Sequence, residues 1–397
     1  MAISSAWDAP PGFPYPGGCF HFGWPLHAPS PHPKDSAVFR GRALLFNLQV
    51  LRAIAALLVV CVHLEAPLVP LGVARETLML GNSGVDLFFV ISGFVMVYTT
   101  AHRPSGPVDF MVNRIIRVAP LYWLATLALF AVALVLPQLL HSTKSSWGEL
   151  ILSLLFVPFD KGGKIQPVFF LGWTLNLEMF FYVLFAFALL LRGVVARVAL
   201  VTAILLALVW TGPLWPKDVT AMRFYSTPIM LEFAIGMWIA IGYLRGIVLP
   251  RLPAFAALAG GFVLLVGSDY MDGGARSLWT GIGGGVVLIA ALSLEKHGHV
   301  WKIRIAQLLG TASYALYLSH PFVVPVVSKA ARSIGPSQGW PAIIWLTTVI
   351  MIAVMLVAIA IHLWVEQPIT YKLRRKAHHP PSVVDKSEAS AASGARC

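Results

Sequence analysis

Arg52 and His63 are two ionisable residues within the first long apolar stretch of the chain. Their separation of 11 residues puts both on one face of an α-helix, with the histidine about 16 Å further along the axis. An ionisable side chain within a membrane span indicates a function, and a histidine there can act as a general base. Two structural alternatives stay open: Arg52 as an anchor at the membrane interface, and His63 as a hydrogen-bonding residue between packed helices.

Two further arginines, Arg114 and Arg117, are three residues apart and therefore share a helix face. Taken alone, this pair is typical of the positively charged flank of a membrane span. Because Arg52 is expected at the same membrane face, we predict that the three guanidinium groups form a cluster. Guanidinium groups suit phosphate oxygens, so this cluster predicts a phosphate-rich cytosolic ligand.

Polar residues also interrupt later apolar segments. Glu178 lies within apolar sequence, where its carboxylate can exchange a proton or form an ion pair with an arginine. His320 precedes Pro321, which is expected to kink the helix, and suits a packing role as well as a site role. For Asp86, a role at a helix N-terminus is slightly favoured over a role in a site. Further candidates for contact with substrate or support of the site are Ser92, Trp173, Asn176 and Tyr182.

The remaining ionisable residues point to no metal centre. Glu232 and Glu366, in or near apolar segments, are interpreted as structural partners. His63, His320 and the carboxylates lack the spacing of metal ligands, so no metal is expected. The three cysteines are far apart and indicate neither a disulfide framework nor a zinc framework.

The elements that must position these residues are membrane helices. Of the 397 residues, 58% are hydrophobic and 12% are charged, and the charged share is about half of that in a soluble protein. Many apolar runs exceed the roughly 18 residues that indicate a transmembrane helix. The formal net charge of +12 is then typical of basic cytoplasmic loops, and nucleic acid is not an expected partner.

We predict an all-α, polytopic membrane helical bundle with about ten transmembrane helices. They are expected at residues 47–68, 84–101, 117–137, 169–191, 195–211, 224–244, 252–268, 277–294, 305–327 and 341–365. Residues 150–158 are apolar but too short to span, and are interpreted as an interfacial or re-entrant piece. Most of the 29 Lys and Arg residues fall on the side of the N-terminus, so both termini are expected in the cytoplasm. Arg52 is then expected near the inner edge of the membrane and His63 near its middle.

Three regions are expected along the chain. Residues 1–43 form a Pro-rich, flexible leader, 44–370 the transmembrane domain, and 371–397 a cytoplasmic tail that is basic and then disordered. The beginning of the chain has no basic stretch followed by a short apolar core, so no cleavable signal is predicted. An upstream start codon is an alternative origin for residues 1–40.

The chain resembles the acyltransferase 3 family of membrane-bound acyltransferases, and within it the members associated with bacterial exopolysaccharide production. The resemblance covers most of residues 46–368. It rests on five segments that match in order and spacing: 51–63, 84–94, 114–123, 172–182 and 313–320. Many members have a second acidic residue directly after the glutamate of the fourth span, where this chain has Met179. A mechanism with two adjacent carboxylates is therefore not assumed.

The resemblance implies transfer of an acyl group, usually acetyl, from cytosolic acyl-CoA to a carbohydrate hydroxyl. The family's first-span arginine and histidine correspond to Arg52 and His63, and its paired arginines to Arg114 and Arg117. Its fourth-span glutamate corresponds to Glu178. The expected donor is acetyl-CoA or another acyl-CoA, with its phosphates on the arginines. The expected acceptor is a cell-surface polysaccharide or its lipid-linked precursor at the bacterial cytoplasmic (inner) membrane, and a polysaccharide synthesis complex is a potential partner.

Two mechanisms and two other functions stay open at this stage. His63 is either the general base, oriented by Glu178, or a transiently acylated relay. Ser92, Asn176 or a tyrosine is a candidate donor to the thioester oxyanion. The main alternative function is a proton-coupled transporter or exporter of a glycan or small solute, with His63, Glu178 and His320 as a proton relay. A structural scaffold for polysaccharide synthesis is the third possibility, and it would tolerate loss of His63.

Overall fold

A computed structural model of the chain describes residues 45–135, 146–216, 218–271 and 274–378, and these form one compact unit. The predicted leader and residues 379–397 of the predicted tail lie outside the described residues. The helices are α1 (Phe46–His63), α2 (Glu65–Leu68), α3 (Ser83–His102), α4 (Pro107–Val135), α5 (Trp147–Leu154), α6 (Gly172–Ala188), α7 (Val194–Thr211), α8 (Thr220–Tyr225), α9 (Leu231–Leu244), α10 (Arg251–Gly267), α11 (Gly274–Lys296), α12 (Arg304–Thr311), α13 (Ser313–Ile334), α14 (Gly339–Ile361) and α15 (Gln367–His378).

Short elements connect several of these helices. A π-helical turn, His362–Glu366, joins α14 to α15. The strands β1 (Asp160–Lys161) and β2 (Lys164–Ile165) form an antiparallel hairpin, with Asp160 opposite Ile165. Single 3₁₀ turns lie at Val69–Leu71, Met79–Asn82, Gly212–Leu214, Pro228–Met230 and Ser268–Tyr270.

The apolar helices confirm an all-α, polytopic membrane protein. Seven helical segments within the described ranges are long and apolar enough to cross a membrane, and two shorter apolar helices, Gly172–Ala188 and Pro228–Leu244, accompany them. α13 is 22 residues long but contains Pro321 and Pro325. Each of the ten predicted spans overlaps at least one of these helices. The seven segments are Phe46–His63, Met79–His102, Pro107–Val135, Val194–Leu214, Arg251–Tyr270, Arg276–Lys296 and Gly339–Ala377.

Two predicted spans differ from the helices in their bounds. α4 begins at Pro107, ten residues before the predicted span, because proline suits the first turn of a helix, where no backbone donor is needed. Arg114 and Arg117 therefore lie seven and ten residues after the first residue of α4 rather than at its beginning. The predicted span 305–327 is interrupted at Ala312, where α12 ends and α13 begins.

α1 lies between two apolar clusters and buries residues on both sides. Leu51 and Val59 belong to the larger cluster, which includes residues of α3 and α6. Ala56 and Val60 belong to a second cluster with residues of α13 and α14. A helix that is apolar all round is buried by its neighbours, so α1 can present polar side chains to α13 inside the bundle.

Glycines allow α3 and α9 to approach closely. A β-carbon on Gly93 would meet the backbone carbonyl of Phe233, and one on Gly236 would meet the carbonyl of Val90. Small residues at such contacts are the usual means of close helix packing in membranes. This packing fixes α3, which carries Ser92 next to Gly93.

The apolar segment at residues 150–158 contains a short helix. α5 has eight residues, about 12 Å, which is too short to cross a bilayer. Its N-terminus is closed by a capping box in which Ser146 and Glu149 bond reciprocally. The Ser153 carbonyl accepts a hydrogen bond of 3.2 Å from the Tyr122 hydroxyl, so α5 is attached to α4.

Candidate active site

α1 and α13 lie side by side and run in the same direction. Near their N-terminal ends, the guanidinium of Arg52 donates to the hydroxyl of Ser313 over 3.0 Å. Further along both helices, the imidazole rings of His63 and His320 are in contact, with centroids 4.6 Å apart. The face of α1 that carries Arg52 and His63 therefore packs against α13. We call His63 and His320 the histidine pair.

Each member of the histidine pair is bonded to the backbone of its own helix. Nδ1 of His63 lies 2.9 Å from the carbonyl oxygen of Val59, and Nδ1 of His320 lies 3.2 Å from the carbonyl oxygen of Leu316. A carbonyl oxygen only accepts, so Nδ1 carries the hydrogen in both bonds. In the neutral rings the lone pair is then on Nε2, which is the atom that can accept a proton.

His63 is the last residue of α1. The predicted span continues to residue 68, but α1 ends at His63, about 26 Å from Phe46 along the axis. The chain continues through Leu64 into the separate short helix α2. The imidazole is half-buried and also faces the ring of Phe170, at 5.8 Å between centroids.

α6 runs antiparallel to α13 and contacts it at successive levels. Phe170, just before α6, is at the level of the histidine pair. One turn away, the hydroxyls of Thr174 and Tyr317 are 2.7 Å apart. At the next turn, Glu178 of α6 lies near Tyr314 of α13. The α6–α13 contact therefore leads from the histidine pair toward Glu178.

Glu178 is bonded to hydroxyls and not to His63. Its Oε1 accepts from Ser92 over 2.6 Å and from Tyr182 over 2.5 Å. Each hydroxyl has a single hydrogen, so neither is free to donate to a thioester oxyanion while these bonds persist. The predicted contact between Glu178 and the His63 imidazole is not present among the described residues.

The predicted arginines lie around Glu178 and a second carboxylate, Glu366. Arg52 is close enough to Arg117, Glu178 and Glu366 to interact with their charges. The guanidinium of Arg114 lies over the ring of Tyr182, 5.8 Å from its centroid. We call Arg52, Arg114 and Arg117 the arginine cluster.

Arg117 is fixed by a chain of polar contacts that runs into the π-helical turn. Its guanidinium forms an ion pair with Glu366, whose side chain is 2% exposed. The other carboxylate oxygen of Glu366 lies 2.7 Å from Nδ1 of His362. Glu366 is a structural partner, as its position near an apolar segment predicts, whereas His362 is not among the predicted residues. The i, i+4 spacing of the two residues in apolar sequence was the available signal.

Two other candidates lie on α6. Asn176 is 1% exposed, and its Oδ1 has no hydrogen-bond partner in the part of the chain that the structure describes. Trp173 is half-buried and packs against the larger apolar cluster. Neither residue touches the histidine pair through a hydrogen bond or ring contact in the described ranges.

Asp86 lies outside this site, in a separate polar cluster. It forms an ion pair of 2.9 Å with Arg276, which also pairs with Asp269 at 2.6 Å. Thr280 donates toward Asp86 and Glu232 over 3.2 Å and 3.4 Å. Asp86 is in the first turn of α3, as expected, but its main partner is an arginine 190 residues away. Sequence alone could not indicate that contact.

The described residues contain no group of three or more His, Cys, Asp or Glu side chains arranged to hold a metal ion. The arginine cluster can bind an anion, and Nε2 of His63 can accept a proton.

Comparison with known families identifies the class of protein. The family model for the acyltransferase domain of the acyltransferase 3 family matches residues 45–363. Because this match covers most of the chain, the protein belongs to that family of acyltransferases. Together with its apolar helices, the match makes it an integral, multi-pass membrane protein.

Two curated proteins are similar to this chain. The "Exopolysaccharide production protein ExoZ" of Rhizobium meliloti (strain 1021) is 37% identical over 306 residues, which are 75% of this chain and 92% of that protein. The "Putative membrane-bound transacylase BcsY" of Komagataeibacter xylinus is 29% identical over 257 residues, 60% of this chain and 65% of that protein. No solved structure gives a significant match.

Proposed function

We propose that the protein is a membrane-bound O-acyltransferase that moves an acetyl group from cytosolic acetyl-CoA to a hydroxyl of a cell-surface polysaccharide or its lipid-linked precursor. Family membership supports acyl transfer, and similarity to an exopolysaccharide production protein supports the carbohydrate acceptor. The observation that carries the proposal is the shared face of α1 and α13. Arg52 lies at one end of this face, close to Arg117 of α4, and the histidine pair lies at the other end.

The arginine cluster suits the donor's phosphates. CoA carries several phosphate charges at one end and a thioester at the other, joined by a thin pantetheine arm. Guanidinium groups bind phosphate oxygens in planar, bidentate geometry. Arg52 and His63 are about 16 Å apart along α1, a separation that suits an extended arm. Phosphates on the arginines would therefore bring the thioester to His63.

His63 supplies the base for direct transfer. As the acceptor oxygen attacks the thioester carbonyl carbon, its proton passes to Nε2 of His63. The carbon–sulfur bond then breaks, and the same proton passes from Nε2 to the departing thiolate. The products are the acetyl ester and CoA with a free thiol. Glu178, two turns from the histidine pair, balances the charge of the arginines rather than orienting the imidazole.

Substitution of His63 tests the proposal. Cells lacking the gene are complemented with the wild type, H63A or H102A, and the acetyl content of their surface polysaccharide is measured. We expect H63A to abolish acetylation at a normal membrane level of the protein, because the base is lost. His102 is the matched control, since its Nδ1 also bonds to the carbonyl four residues earlier, at 2.8 Å from Tyr98, but it is exposed and lies outside the site. Full acetylation by H63A would refute the mechanism, and unchanged polysaccharide in the gene deletion would refute the function.

A further inference from the structure

His320 has a buried nitrogen that the direct-transfer mechanism does not use. The residue is fully buried, and its Nδ1 is engaged by the Leu316 carbonyl. Its Nε2 has no hydrogen-bond partner among the described residues. A buried polar atom without a partner is unfavourable, and one beside an active centre points to a role there.

The contact with His63 indicates what this nitrogen serves. The two imidazole rings meet edge to face, at an interplanar angle of 65°. No carboxylate bonds to the His63 ring in the described ranges: Glu178 lies two turns away along α6, where it accepts from Ser92 and Tyr182. When His63 takes the hydroxyl proton, it becomes a cation with a second N–H. His320 is then the imidazole neighbour that can accept from it.

Pro321 leaves a backbone carbonyl oxygen near the histidine pair without its usual helical donor. Proline has no backbone N–H, so the carbonyl of Tyr317, four residues earlier, loses its helical donor. That carbonyl lies one turn from His320 on the same helix. Its oxygen, which the His320 ring also approaches, favours a positive charge close by, as does the Nε2 lone pair.

We propose that His320 is a positioning residue that stabilises the protonated form of His63 through the lone pair on its own Nε2. The inference rests on the proposed function, in which His63 is the base. His320 stays neutral: the proton remains on His63 until it passes to the thiolate. In this proposal His320, and not Glu178 as predicted from the sequence, supports the His63 imidazole.

Two amide substitutions of similar size distinguish the role of Nε2 from that of the rest of the ring. In H320Q the amide group reaches about as far as Nε2 and keeps an oxygen that accepts a hydrogen bond. In H320N the amide reaches only the position of Nδ1, so it can still donate to Leu316 but offers nothing at Nε2. H320F keeps a ring of similar size without polar atoms.

The assay uses the full chain purified in detergent, labelled acetyl-CoA, and surface polysaccharide from cells lacking the gene, so that donor and acceptor can reach both ends of the bundle. We expect H320Q to retain about a tenth of the wild-type kcat, and H320N and H320F to lose about a hundredfold or more. KM for acetyl-CoA should stay within about twofold of the wild type, because the arginine cluster is unchanged. The double variant H63A/H320N should be no less active than H63A, since the two residues act as a unit.

Three results would overturn the inference. They are wild-type activity in H320N, equal activity in H320N and H320Q, or absence of H320N from the membrane, which would make His320 a folding residue. Each of these leaves the proposed function intact as long as H63A is inactive. An active H63A would instead refute the proposed function, so the two failures are distinguishable.

Discussion

The charges of Arg114 and Arg117 lie in different surroundings, although the two residues share one face of α4. Arg117 forms an ion pair with the buried Glu366, which limits its movement. Arg114 lies over the rings of Phe110 and Tyr182, at 5.2 Å and 5.8 Å from their centroids. Aromatic faces attract a guanidinium and hold it over the rings. The two arginines are therefore held by different partners, Arg117 by a carboxylate and Arg114 by aromatic rings.

Replacing Arg114 or Arg117 by glutamine should weaken donor binding. A hydrogen bond to a charged group contributes about 1.5–3 kcal/mol, so each variant should raise KM for acetyl-CoA about 10- to 100-fold. The kcat at saturating donor should change much less. Initial rates in membrane vesicles over a range of acetyl-CoA concentrations measure both constants.

The matched control is R245Q, because Arg245 is exposed at the end of α9, on the same predicted side of the membrane. It should leave KM for acetyl-CoA unchanged. Unchanged donor affinity in both R114Q and R117Q would contradict the phosphate-binding role of the arginine cluster.

Residues on one helix were easier to relate from the sequence than residues on different helices. The spacing of Arg52 and His63 correctly predicted a shared face, because helix geometry fixes it locally. The partners of Glu178 were not predictable, since Ser92 lies 86 residues away and meets it only through packing of α3 and α6. The break of α1 after His63 did have a signal in the sequence, because the charged Glu65 and the helix-breaking Pro67 follow within four residues.

The π-helical turn between α14 and α15 joins these helices to α4 through a buried ion pair. Glu366 and His362 lie on this turn, 2.7 Å apart at their closest polar atoms, and Glu366 reaches Arg117 across the helix contact. π-helical turns are rare and occur frequently at functional sites. Here the extra residue in the turn positions a carboxylate against the arginine cluster.

Breaking this ion pair should destabilise the protein more than removing it altogether. E366Q leaves Arg117 partly buried without its counter-charge, and loss of one partner of a buried pair is destabilising by about 3–5 kcal/mol. The double variant R117Q/E366Q has two neutral amides and should recover most of that loss. Thermal unfolding of the purified protein in detergent gives the comparison. A double variant with the summed loss of the two single variants would contradict the coupling.

Two clusters of charged residues lie toward opposite ends of the helical bundle. The arginine cluster lies toward the end of the bundle where α1 begins. The cluster of Asp86, Asp269 and Arg276 lies toward the opposite end, where α3 begins after α1 has crossed. CoA is too highly charged to cross a bilayer unaided. The proposed mechanism therefore requires the first of these ends to face the cytoplasm, which agrees with the side predicted from the Lys and Arg residues.

Cysteine labelling tests this orientation directly. In a chain with Cys19, Cys61 and Cys397 replaced by serine, single cysteines are introduced as G106C, between α3 and α4, or K164C, in the β-hairpin before α6. Both positions are exposed. The connection before α4, which carries G106C, and the connection after α4, which carries K164C, lie on opposite sides of the membrane if α4 crosses it. A membrane-impermeant maleimide should therefore label K164C in intact cells and G106C only after permeabilisation. Labelling of G106C in intact cells would put the arginine cluster outside, where no acetyl-CoA is available, and would contradict the proposed donor.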